Sequence, residues 1–209
     1  EKGPGAGTGQ VNYTDDPYDL QFEYPANFLI SGLSEAGIET DGSYIYTTQW
    51  NGNNIWRYDM EGNYIDGFVC GSAASLRDLA YDGTYFYGGA AANTVFQMDF
   101  DSQTLVGTFS APVAVRAIAY QDSGDIGFWA NNWSTAPTLF DETGSTLASF
   151  NINGDESFYG FAYMNNDLGE ALFGNGQSGS GNLIYKYDLP SGGSFVETFD
   201  MMTILSLPI

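Results

Sequence analysis

Arg77 and Arg116 are two of only five basic residues, set against 26 acidic ones and a formal net charge of −21. Each stands just before a short apolar run, Leu79-Ala80-Tyr81 and Ala117-Ile118-Ala119-Tyr120, so the two hold the same place in successive units of a repeat. A guanidinium is a planar fork of donors that matches carboxylates and sugar hydroxyls. Two such groups on one face would make a site for an anion or a glycan. The competing role is structural, an ion pair with Asp78 or with a carboxylate of a neighbouring unit. The corresponding places in the flanking units hold Ala36 and Tyr159.

Tryptophans supply a second candidate set. Trp129 and Trp133 flank Ala130-Asn131-Asn132, and Trp50 sits at the matching place in the first unit. An exposed indole beside an amide can stack on a sugar ring, whereas a buried one packs between sheets. The ligand-binding set is therefore Arg77, Arg116 and Tyr159 on an axial face, with Trp50 and Trp129 as its rim. A hydrolase would instead need two carboxylates about 5–10 Å apart, and Glu35 with Asp78 is the pair on offer. The turns at 122–125 and 165–170 carry oxygen groups of the kind calcium uses, without the full spacing of a calcium loop. No cofactor is expected, calcium being the weak alternative.

Other residue types narrow the chemistry further. Histidine is absent, which removes the commonest general base. Cys70 is alone, so no intrachain disulfide forms and a buried, inert thiol is expected. Nucleic acid requires clustered Lys and Arg, which the chain lacks. No apolar stretch is long enough to span a membrane as a helix.

These residues are positioned by a repeat of about 41 residues. Asp59, Asp99, Asp141 and Asp188 each end an apolar strand, at spacings of 40, 42 and 47. Phe68, Phe109, Phe150 and Phe199 recur at 41, 41 and 49. Turns such as Asp41-Gly42-Ser43 and Asp82-Gly83-Thr84 precede aromatic strands. A period near 40–45 with four short strands per unit marks a β-propeller. The same Asp at the same place in every unit argues for turn capping. The sequence predicts an all-β propeller of four complete four-stranded blades, at about 34–69, 74–110, 113–151 and 157–200. Residues 1–10 read as a flexible leader to a single domain over 11–209. Residues 19–24 read as the outer strand of a preceding blade, and 201–209 as the start of another innermost strand. The ring is then incomplete in this chain, and a missing segment or a partner is expected to cover the open face.

The run Leu76-Arg77-Asp78-Leu79-Ala80-Tyr81-Asp82-Gly83-Thr84-Tyr85-Phe86-Tyr87-Gly88-Gly89-Ala90-Ala91-Ala92-Asn93-Thr94 resembles a family of secreted Bacteroidetes propeller proteins, as does Ser110-Ala111-Pro112-Val113-Ala114-Val115-Arg116. The resemblance covers roughly 19–165. It implies export and a ring of about six blades, in a family whose members commonly carry a C-terminal type IX secretion sorting domain that is not seen in this sequence. It implies no catalytic residues. The function expected is a secreted or cell-surface, non-enzymatic module that binds a glycan or a protein. The alternatives are a carbohydrate-active enzyme using funnel carboxylates and a structural repeat of a larger surface assembly.

Overall fold

The computed structural model describes residues 35–152, 157–166, 169–176, 183–189 and 193–200. The leader, the strand expected at 19–24 and the tail at 201–209 lie outside the described residues, as does most of the Gly- and Ser-rich loop of the fourth unit. The described residues form sixteen strands in four antiparallel sheets of four. Blade 1 holds β1 (Glu35–Thr40), β2 (Ile45–Gln49), β3 (Ile55–Tyr58) and β4 (Tyr64–Phe68). Blade 2 holds β5 (Leu79–Tyr81), β6 (Phe86–Gly89), β7 (Ala92–Asp99) and β8 (Thr104–Val115). Blade 3 holds β9 (Ala117–Gln121), β10 (Gly127–Asn131), β11 (Thr138–Phe140) and β12 (Thr146–Ser149). Blade 4 holds β13 (Phe158–Asn166), β14 (Gly169–Gly176), β15 (Leu183–Asp188) and β16 (Ser194–Asp200). No helix occurs among them. This is the expected all-β propeller with four complete blades.

The core follows from strand periodicity. Successive side chains point to opposite faces of a sheet, so each blade feeds two inter-blade clusters. Leu79 and Phe86 join Tyr46, Ile55 and Phe68 of blade 1, while Ala80 and Tyr87 join Ile118 and Phe128 of blade 3. Trp129 and Leu139 of blade 3 pack on Phe158, Leu172 and Tyr187 of blade 4. Phe86 and Phe100 stack with ring centroids 3.9 Å apart. Cys70 is buried in the first cluster, and burial pushes its thiol up to about 11, so it is the inert thiol expected.

Each blade carries the same irregularity. The third and fourth strands slip register between Arg57 and Tyr58, Gln97 and Met98, Leu139 and Phe140, and Lys186 and Tyr187. A bulge there adds local twist just before the recurring Asp. Asp59 Oδ1 accepts the N–H groups of Glu61 and Asn63, Asp99 those of Asp101 and Ser102, and Asp141 those of Thr143 and Ser145. Side-chain hydrogen bonds from Asn63, Ser102 and Thr143, together with these backbone bonds, hold the three carboxyls below the usual range. The recurring Asp is therefore a turn cap, as its repetition predicts.

One boundary differs from the sequence reading. The outer strand of blade 2 does not stop at Phe109. β8 runs on to Val115 and pairs Val115 with Ala92. A Cβ on Gly89 would lie 2.5 Å from the Val115 Cβ, so only glycine lets this extension pass. The extension delivers the chain directly to Arg116 at the axis.

Candidate functional site

Asp78 marks the axis. Its Oδ2 accepts the backbone N–H of Ile118 from blade 3 at 2.8 Å and of Phe161 from blade 4 at 2.9 Å. Gly37 of blade 1 runs against its backbone, where a Cβ would lie 2.5 Å from the Asp78 Cα. One blade 2 residue thus ties the other three blades together. Burial pushes its carboxyl well above the usual range, against the pull of the backbone N–H groups of Ile118, Phe161 and Leu79. Its role is structural, and the expected alternative of an Arg77–Asp78 ion pair is corrected: Asp78 is spent on backbone groups. The Glu35–Asp78 hydrolase pair meets the same obstacle. A carboxyl sealed at the axis cannot reach a sugar, and Glu35 Oε1 accepts from the hydroxyls of Thr47 and Tyr58.

Arg77 and Arg116 meet at the end of the axis where the innermost strands begin. Arg77 hydrogen-bonds through its main-chain N–H to the Gly89 carbonyl at 2.9 Å. Its Nη1 donates to the Trp50 carbonyl, and its guanidinium carbon lies 3.9 Å from the Trp50 ring centroid. Arg116 is set by its N–H on the Asn131 carbonyl at 2.8 Å and by Nε on Asn132 Oδ1 at 3.1 Å. Its guanidinium carbon lies 4.2 Å from the Trp133 centroid, 5.6 Å from Tyr159 and 5.8 Å from Trp50. Tyr159 closes the group, 4.7 Å from Trp133 and 5.9 Å from Trp50. Three aromatic rings from blades 1, 3 and 4 therefore surround two guanidinium groups from blades 2 and 3.

The electrostatics of this group are unusual for so acidic a chain. Besides Arg77 and Arg116, two basic residues are described, and both pair with carboxylates across the third and fourth strands of a blade. Arg57 forks onto Asp66 at 3.0 and 2.6 Å, and Lys186 lies 3.8 Å from Glu197. Among the described residues neither Arg77 nor Arg116 forms an ion pair. Arg116 is 8% exposed. Burial lowers the pKa of both arginines, and the charge of Arg77 lowers that of Arg116 further. Arg77 Nε and Arg116 Nη1 are sealed without a hydrogen-bond partner. Indole faces stand where counter-ions would be expected.

Trp133 has been bent to fit. Its φ is 59°, a left-handed conformation that L residues rarely adopt. The Asn131 side-chain amide holds the turn by donating to the carbonyls of Trp133 and Thr135 at 2.6 and 3.0 Å. Such strain persists only where the surroundings fix it, and it gathers at functional sites.

Of the five expected site residues, Arg77, Arg116, Tyr159 and Trp50 come together and Trp129 does not. Trp129 is buried between blades 3 and 4, and its indole N–H donates to Gln121 Oε1 at 2.7 Å. It corresponds to Tyr46 and Tyr87, whose hydroxyls donate to Asp41 and Asp82 at 3.0 and 2.7 Å. Trp133 takes the rim position instead. The signal was in the sequence: blade 3 has a longer first turn, and aligning Phe128-Trp129 with Phe86-Tyr87 assigns Trp129 to the anchor role.

No protein-family model matches the chain, and no curated protein matches its sequence. Solved structures do resemble it. Myxococcus xanthus glutaminyl cyclase superposes with a TM-score of 0.57 at 16% identity, covering 70% of this chain and 69% of that one. U3-55K gives 0.56 at 15% identity, covering 81% and 53%, and the RRP9 WD40 repeats give 0.54 at 13%, covering 81% and 51%. The chain spans about half the length of these last two structures. At such identities the likeness shows the propeller fold alone.

Proposed function

We propose that this propeller is a non-catalytic binding module whose axial mouth takes a carboxylate-bearing ligand, an acidic glycan being the best fit. The observation that carries this is the pair of neighbouring guanidinium groups, stacked on indoles and without a carboxylate partner among the described residues, in a chain of net charge −21. A bound carboxylate would supply the missing counter-charge, and Trp50, Trp133 and Tyr159 offer ring surface for a sugar. The mouth draws on all four blades, so it exists only in the folded ring. An extracellular or cell-surface setting belongs to the same reading and is supported by the acidic surface and the family resemblance. The test is titration calorimetry with oligogalacturonate and with neutral galacto-oligosaccharide. The acidic sugar should bind in a salt-sensitive manner and the neutral one should not.

A further inference from the structure

The other end of the axis, where the innermost strands finish, holds a cavity of about 390 Å³. Its size falls within the roughly 300–1,000 Å³ usual for small-ligand pockets. Tyr81, Tyr120 and Tyr163 line it, one from each of blades 2, 3 and 4. Blade 1 breaks the pattern: Thr40 stands where Tyr81 does, and Glu39 joins the lining beside it. We propose that this cavity is a second binding site, one that takes an organic cation with an ammonium head.

The walls are fixed in advance. Tyr81 stacks on Phe86 with centroids 4.6 Å apart, Tyr120 lies 5.3 Å from Phe128, and the Tyr163 hydroxyl donates to Glu170 at 2.8 Å. A preformed aromatic enclosure binds cations without an ordering cost. The field there is negative and uncompensated. The described basic residues are all engaged elsewhere, Arg57 and Lys186 with carboxylates and Arg77 and Arg116 at the opposite mouth. All three tyrosine hydroxyls have raised pKa values, first through burial and then through carboxylates that include Asp82 for Tyr81 and Asp122 for Tyr120 and Tyr163. Glu39 Oε1 accepts the Thr40 N–H at 2.8 Å, and burial pushes its carboxyl up to about 7 against the pull of that bond.

An ammonium suits this cavity better than a metal ion. A hard dication such as calcium takes six to eight oxygens at about 2.3–2.6 Å, and among the described residues no three metal-ligating side chains converge. Ring walls with the carboxylates of Glu39, Asp82 and Asp122 beside them are the makings of an ammonium site.

The test is calorimetric titration of the folded chain with choline, and separately with calcium. Choline should bind saturably. Glu39→Gln, which keeps the acceptor for Thr40 and removes the charge, should weaken it by about tenfold through loss of the charge–charge attraction. Tyr120→Leu should weaken it as well. Arg77→Ala with Arg116→Ala should leave it unchanged, which separates this site from the anion mouth. In the unmodified chain choline should move the ring resonances of Tyr81, Tyr120 and Tyr163 and spare the indole signals of Trp50 and Trp133. Absence of saturable choline binding, equal affinity in Glu39→Gln, saturation by calcium in place of choline, or shifts confined to the indoles would each overturn the proposal.

Discussion

The Arg116 guanidinium carbon lies 4.2 Å from the centroid of the Trp133 indole, and the backbone of Trp133 is held at a φ of 59° to put it there. A left-handed residue is costly, and the ring it presents is the face that Arg116 has in place of a carboxylate. Trp133→Leu keeps apolar bulk and removes the π face. It should lower the unfolding free energy by about 0.5–2 kcal/mol, the range of a cation–π contact. It should also weaken acidic-oligosaccharide binding. Urea unfolding and titration calorimetry on one sample measure both.

Asp78 is the clasp of the ring. Asp78→Ala strands the backbone N–H groups of Ile118 and Phe161 in a buried site. At about 1–3 kcal/mol for each orphaned donor, the loss should reach about 2–6 kcal/mol. Asp78→Asn retains one acceptor oxygen and should lose less. Urea midpoints give the order, and an alanine variant as stable as the parent would refute the clasp.

Gly37 tests the same packing from the other side. A Cβ there meets Asp78 backbone atoms at 2.5–3.0 Å, and backbone cannot swing aside. Gly37→Ala should therefore destabilise by about 1–3 kcal/mol, the usual penalty for overpacking. Gly42→Ala is a control of a different kind: nothing lies within 4 Å of its added Cβ, so any loss there reflects its φ of 84° alone.

Glu39 makes stability depend on pH in a defined direction. Its carboxyl titrates near 7 in the fold against an ordinary 4.5, so the native state holds the extra proton between those values. Stability from this group is full below about 4.5 and is lost as pH rises toward 7. The neighbours that share the mouth are Tyr81, Asp82, Tyr120, Asp122 and Tyr163, with Asp78 deeper along the axis. Glu39→Gln removes the titration, so the parent-minus-variant difference in unfolding free energy should slope downward from pH 4.5 to 7. A flat difference would contradict it.

Much of the fold was written in the repeat. Asp59, Asp99 and Asp141 bond to nearby backbone, a short-range effect that sequence spacing captures, and the alternation of Leu79-Ala80 and Phe86-Tyr87 already sorts residues to two interfaces. The third and fourth strands of blade 1 start and stop as expected. The site was legible only in part. Equivalent positions in a ring converge on the axis, which is why Arg77, Arg116 and Tyr159 were within reach. Trp129 was misplaced because a longer turn shifts blade 3 against its neighbours. Asp78 was misjudged because its partners, Ile118 and Phe161, lie 40 and 83 residues away. The cavity at the far mouth needed geometry outright, since nothing local ties Glu39 to Tyr120 or Tyr163.

The central claim is that Arg77 and Arg116 form an anion site and not a structural brace. Calorimetric titration of oligogalacturonate into the Arg77→Ala, Arg116→Ala double variant tests it most directly. A hydrogen bond to a charged group contributes about 1.5–3 kcal/mol. Affinity should therefore fall by about 100-fold or more while the melting transition stays cooperative. An unfolded double variant, or a folded one that binds as the parent does, would contradict the account.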